Sequence, residues 1–180
     1  MKRIYFSREE MYKLNVERLN ERGVQIEDIA SIAYKQQSRY NPKTTFELCL
    51  ESVKKTLSYR DIFHIVQLSV EIDRLTEQGG VFREPIQSIM ESDLGMFGID
   101  EILGLSIAAN YGVIGQTNFG DIDVNKPGIV GILNDVGKTD SKKCHTFLDD
   151  VVGAIAAAAS TRVAQIISEE EATKKVNDGK

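Results

Sequence analysis

Two stretches of this chain share one spelling: Ile99-Asp100-Glu101-Ile102-Leu103-Gly104 and Leu148-Asp149-Asp150-Val151-Val152-Gly153. Each is an apolar residue, two adjacent acids, two apolar residues and a glycine. Leu105, Ile107, Ala108 and Ala109 follow the first and Ala154 to Ala159 the second. A helix apolar on all sides is a buried helix, so the pattern places four carboxylates at the mouths of two central helices. An ionised carboxylate out of water needs a counter-charge: a divalent cation, a basic side chain or a helix N-terminus. The helix terminus is the plainer reading. First-turn acids complement the macrodipole by roughly 0.3–1 kcal/mol each, and Thr146, three residues before Asp149, has capping-box spacing. The duplication favours a shared carboxylate site. A dipole needs neither a second adjacent acid nor a glycine four residues after Asp100 and Asp149, where its bare face lets a backbone or ligand approach.

An oxygen-rich cluster without thiolates or paired imidazoles selects hard cations, Mg²⁺ first and Mn²⁺ or Ca²⁺ next. The substrate class that follows is a phosphate ester, because Mg²⁺ on protein carboxylates bridges to phosphate oxygens and neutralises them. Asp121 to Pro127 adds two more acids and Lys126, whose ammonium suits a phosphate. It is not a calcium loop: Lys126 stands at the sixth position where glycine makes the turn, and Ile132 at the twelfth where glutamate should stand. A solvated turn is its plainer reading. Phosphate-loop, nucleophile-elbow and His-Glu-x-x-His motifs are absent. His64 and His145 anchor no mechanism, although His145 precedes Asp149 by one helical turn.

The 180 residues suffice for one domain with a sizeable core. A net charge of −5 argues against a broad nucleic-acid footprint, which needs clustered positive charge. Cys49 and Cys144 form no metal or redox motif, in keeping with a reduced, cytoplasmic protein. The charged N-terminus carries no secretory signal, and no run reaches the ~18 apolar residues of a transmembrane segment.

The elements that must position the acids are nearly all helical. Apolar spacing and capping signals predict helices over Arg8 to Arg22, Ile26 to Arg39, a third headed by Thr44, Tyr59 to Gln78 capped by Ser58, and Glu84 to Glu91 behind Pro85. A helix from near Gly98 carries the first acid pair, and one from near Thr146 to Glu171 the second, with 172–180 as a frayed tail. Glycines from Gly112 to Gly137 predict loops and at most one turn of helix between them, with any strand confined to 112–143. The expected fold is all-α: one domain over residues 1–180, a helical bundle with a central buried helix.

At these residues the chain resembles the phosphatidylglycerophosphatase A family, most closely its soluble YutG-like, or low-temperature-requirement-C-like, branch. The first hexamer is similar to the family's Asp-Glu-x-x-Gly helix, Asp123-Val124-Asn125-Lys126-Pro127 to its Asp-x-x-Lys-Pro loop, and Leu148 to Val152 to its Asp-Asp helix, in the same order within 97–159. The resemblance implies a Mg²⁺-dependent phosphatase that converts phosphatidylglycerophosphate to phosphatidylglycerol and phosphate. It implies a metal held by Asp100, Glu101, Asp149 and Asp150, with Asp123 as a fifth ligand, and a phosphate met by Lys126. It also implies a cytoplasmic protein peripheral at the inner membrane surface, and a homo-oligomer is compatible with it. The chain differs from the membrane-bound members in three ways: no Pro-Gly-Thr motif before Gly80, Gly120 where they carry arginine, and no spanning segments. A phosphatase of a soluble ester, a helical nucleotide pyrophosphohydrolase and a non-catalytic regulatory or scaffolding bundle, keeping the acids as caps, are the alternatives.

Overall fold

The computed structural model describes residues 4–95, 97–140 and 142–178, without the side chains at 137 and 138. Among the described residues there is no strand. In chain order the helices are α1 (Arg8–Glu21), α2 (Ile26–Gln37), α3 (Phe46–Leu57), α4 (Arg60–Glu77), α5 (Ile86–Glu91), α6 (Ile99–Ala109), α7 (Gly112–Asn125), α8 (Ile129–Thr139) and α9 (Leu148–Asp178). The all-α bundle around a central helix expected from the sequence is the architecture observed.

The central helix is α9. Every residue from Leu148 to Thr161 is buried, and α2, α3, α4, α6, α7 and α8 all pack against it. Its alanines allow this. They favour the helix and present no bulk on any side, so six neighbours can approach one axis. Leu148, Ile155 and Ile167, fully enclosed, fix the layers at about 1.5–3 kcal/mol each. By length and composition alone α9 is apolar enough to cross a bilayer, but most of that stretch is enclosed by the bundle.

The structure corrects the reading of 112–143: Gly112–Asn125 and Ile129–Thr139 are the full helices α7 and α8 rather than loops. Gly115 and Gly131 lie inside these helices, where an added Cβ would collide with the carbonyl oxygens of Ala108 and Lys126. They are close-approach glycines, not breaks. Two caps also move. Thr45, not Thr44, accepts the Leu48 N–H at 3.2 Å to start α3. Ser58 closes α3 by donating to the Lys55 carbonyl instead of opening α4. The tail is helical through Asp178, past the expected fraying at 172, with Lys43 paired to Glu171. Residues 1–3 and 179–180 lie outside the described residues.

Candidate functional site

The two acid pairs meet because α6 and α9 touch at a glycine. A Cβ on Gly104 would stand 3.1 Å from the Asp150 carbonyl oxygen and 2.8 Å from the Phe119 ring. With hydrogen there, the helices close up. Gly153 does the same for α7, an added Cβ meeting Ile122 at 3.2 Å. The glycines of the repeated hexamers therefore admit protein neighbours.

Asp100, Glu101 and Asp150 each present an oxygen within 4.8 Å of the others. Asp100 and Asp150 are buried and Glu101 half-buried. Glu101 Oε2 is enclosed without a hydrogen-bond partner. Buried polar atoms are almost always satisfied, so an orphaned carboxylate oxygen inside an all-oxygen triplet fits a hard divalent cation. Burial, and the Glu101 carboxyl beside it, push Asp100 up to about 7. Burial and the neighbouring Asp149 push Asp150 up to about 9, against the pull of Lys126. Such a triplet binds protons until a cation replaces them.

Asp149 and Asp123 do not join that triplet. They hold Lys126, whose Nζ donates to Asp123 Oδ1 at 2.5 Å, Asp149 Oδ2 at 3.0 Å and Asp150 Oδ1 at 3.4 Å. Burial alone would lower the Lys126 ammonium, but Asp149 and Asp123, with Asp150 contributing less, outweigh it and keep it charged. Asp149 is pushed up to about 6 by burial, opposed by Lys126. Lys126 ends α7 in a left-handed conformation, φ 42, rare for a residue with a side chain and common at functional sites. So the structure brings Asp100, Glu101 and Asp150 together as one carboxylate triplet. Asp149 and Asp123 instead set the lysine.

Three residues that the sequence reading missed hold α9 from behind. Thr146 does not cap; its hydroxyl donates to the Met90 carbonyl at 2.7 Å. The Phe147 and Leu148 amides instead donate to Oδ1 and Oδ2 of Asp73 on α4, at 3.1 and 3.0 Å. Burial pushes the Asp73 carboxyl well up, opposed by the Phe147 amide, by Arg22 and by the Leu148 amide. Both oxygens accept N–H groups, which offsets part of that burial cost. One turn on, Glu77 accepts the Cys144 amide at 2.9 Å and takes the Arg22 guanidinium on both oxygens. Arg22 also donates to the Cys144 carbonyl at 2.6 Å and lies 3.1 Å from His145 Nδ1. Burial and Arg22 depress His145 to about 4, so it is a neutral part of this clamp rather than a site acid. A signal existed for Asp73. It lies in line with Ile62, Val66 and Ser69 on the buried stripe of α4, and an acid on an apolar stripe needs a partner.

An all-helical bundle that gathers carboxylates and one lysine from three helices defines a distinct class of protein. The model of the phosphatidylglycerophosphatase A family matches residues 54–165. The chain belongs to that family. It is 42% identical over 175 residues to the uncharacterized protein YpjQ of Bacillus subtilis, covering 97% of this chain and 96% of YpjQ. The YpjQ crystal structure superposes with a TM-score of 0.83, covering 91% of this chain and 99% of that one at 43% identity. Uncharacterized protein YutG of the same organism is 44% identical over 147 residues, 82% of this chain and 86% of YutG. The low temperature requirement C protein from Listeria monocytogenes matches at 41% identity and a TM-score of 0.82, over 88% and 97% of the two chains.

Proposed function

We propose that this chain is a Mg²⁺-dependent phosphomonoesterase acting on phosphatidylglycerophosphate at the cytoplasmic surface of the inner membrane. The observation that carries the reading is the Asp100–Glu101–Asp150 triplet, with its orphaned Glu101 oxygen, beside a lysine charged by its neighbours. Those three carboxylates would hold the cation, and a bound Mg²⁺ supplies charge neutralisation on the phosphate oxygens. Lys126 would bind a phosphate oxygen by giving up its long 3.4 Å contact with Asp150, while Asp123 and Asp149 keep its ammonium oriented. Asp149 Oδ accepts a proton from the attacking water, since a group lifted to about 6 is both ionised and basic near neutral pH. The phosphorus–oxygen bond to the glycerol then breaks, and the alcohol leaves with the proton.

The lipid reading has its own support. From Ile102 to Gly120 no residue is charged, although Ile102 is 63% and Val113 72% exposed. An apolar, charge-free surface that starts one residue after Glu101 suits a substrate presented at a bilayer. The test is phosphate release from phosphatidylglycerophosphate in mixed micelles, beside soluble monoesters, with Mg²⁺ or with chelator. Mg²⁺-dependent release from the lipid is expected. Release from soluble esters alone keeps the phosphatase and discards the lipid; no release from any ester favours a non-catalytic bundle.

A further inference from the structure

We propose that Asp73 is a positioning residue for the carboxylate site, acting through the first turn of α9. The inference rests on the reading of that site given above. A helix N-terminus is ordinarily satisfied by its own Ser, Thr, Asp or Asn. Here the local candidate, Thr146, bonds elsewhere, and the amides of Phe147 and Leu148 reach across to a fully buried carboxylate on α4. Burying a carboxyl group for a cap that a serine can make is costly. What a distant acid adds is a reference point outside the helix. A local cap leaves the helix free to slide and turn with its own loop. Asp73 ties the start of α9 to α4, and Glu77 and Arg22 tie the preceding Cys144 by its N–H and its carbonyl to α4 and to the end of α1. Asp149 and Asp150 are the next two residues. Their height along α9 and their rotation about it are thereby set against Asp100 and Glu101 on α6 and Lys126 after α7. Misplacement of a site by about 1 Å costs about 10²-fold in rate, so such a clamp has a functional consequence beyond holding the fold.

The experiment compares Asp73→Asn with Val53→Ala, a buried α3 residue beside Ser52, which meets Arg162 about four turns of α9 beyond Leu148, so that the change lowers stability away from the clamp. Mn²⁺ binding is measured by electron paramagnetic resonance, and hydrogen exchange at the amides of residues 147–151 by NMR, at a temperature where circular dichroism shows both variants folded. Asp73→Asn should weaken Mn²⁺ binding about 10–100-fold and speed exchange at 147–151 more than at 156–163, whereas Val53→Ala should do neither. Mn²⁺ affinity unchanged in Asp73→Asn, or loss equal in the two variants, overturns the proposal and leaves Asp73 a structural cap. If Asp73→Asn does not fold, Asp73→Glu keeps both acceptors but displaces them by one methylene. It should fold with weakened Mn²⁺ binding, and wild-type affinity there is equally fatal. Wild-type protein that binds Mn²⁺ but releases no phosphate overturns the enzymatic reading alone, while wild-type protein that binds no Mn²⁺ overturns both.

Discussion

The two hexamers spell alike and are used differently. On α6 both acids face one point: Asp100 and Glu101 each contribute to the triplet. On α9 they part, Asp150 toward the triplet and Asp149 toward Lys126. Successive helical residues diverge by about 100°, so two short aspartates share a neighbour only unequally: Lys126 lies 3.0 Å from Asp149 and 3.4 Å from Asp150. Glu101 joins Asp100 at one point because its extra methylene lets the carboxyl bend back beside it. Backing differs too. The α6 pair sits behind a left-handed Gly98 with no side-chain cap, while the α9 pair follows a turn gripped by Asp73, Glu77 and Arg22. One α6 flank is open and apolar; α9 is enclosed all round from Leu148 to Thr161. A repeated motif therefore fixed which groups meet, and side-chain length and support divided the labour between them.

That division is broken most directly by removing one acid of α9 at a time. Asp150→Asn should abolish the heat of Mg²⁺ binding and lower phosphate release by at least about 10²-fold. The metal-free melting temperature at pH 7 should hold or rise, since a carboxyl pushed up to about 9 is already neutral there and asparagine has nearly its shape. Asp149→Asn should retain most Mg²⁺ affinity and lose turnover. Lys126→Ala should behave like Asp149→Asn, losing about 10²-fold in turnover with Mg²⁺ affinity kept or improved, as a competing cation is gone. Equal loss of Mg²⁺ binding in Asp149→Asn and Asp150→Asn would show that all four acids form one site.

The components of this site could be read from the chain, but not their partition. Six acids and a lysine near two glycines announce a cluster, and the helix-wide apolar run after Asp150 announces its burial. Which acids share a point depends on how α6 and α9 face each other, and that is set by Phe119, Ile122 and Gly104 packing between α6, α7 and α9. The helices before residue 92 followed from their own periodicity and stops. The stretch after Gly112 did not, because a glycine that admits a backbone and a glycine that makes a turn look the same in a sequence. Asp73 was hidden for a similar reason: its partners are amides more than 70 residues away, which carry no side-chain signature.

Titration sharpens the comparison by a smaller effect. Asp100 and Asp150 carry protons to about 7 and about 9, against an unfolded value of roughly 3.9. Folded values raised in this way favour the fold at low pH, so metal-free stability should fall as pH climbs from about 4 through those values. A cation bound by these carboxyls would expel the same protons. The apparent Mg²⁺ affinity should rise about tenfold per pH unit between 7 and 9 as Asp150 gives up its proton, and more steeply below 7 where Asp100 also does. Calorimetry at several pH values in buffers of different ionisation enthalpy counts the protons. A pH-independent affinity would mean that the carboxyls of α6 and α9 are not the ligands.

The smallest effects separate the two glycines. Gly104→Ala places a methyl 3.1 Å from the Asp150 carbonyl and 2.8 Å from the tip of the Phe119 ring. The ring can swing, but the carbonyl belongs to the central helix and cannot, so α6 must move outward. That strain should cost about 1–3 kcal/mol in urea denaturation and open the Asp100–Asp150 gap, weakening Mg²⁺ binding as well. Gly153→Ala meets only side chains, Ile122 at 3.2 Å and Phe119 and Val130 at 3.7 and 3.8 Å. A few tenths of an ångström of side-chain adjustment is offset by the helix preference of alanine over glycine, about 0.5–1 kcal/mol. Stability should change by less than about 1 kcal/mol in either direction, with Mg²⁺ affinity intact. If Gly153→Ala proves the more damaging, the axis that sets the acid cluster is α7 against α9, and the contact at Gly104 is incidental to it.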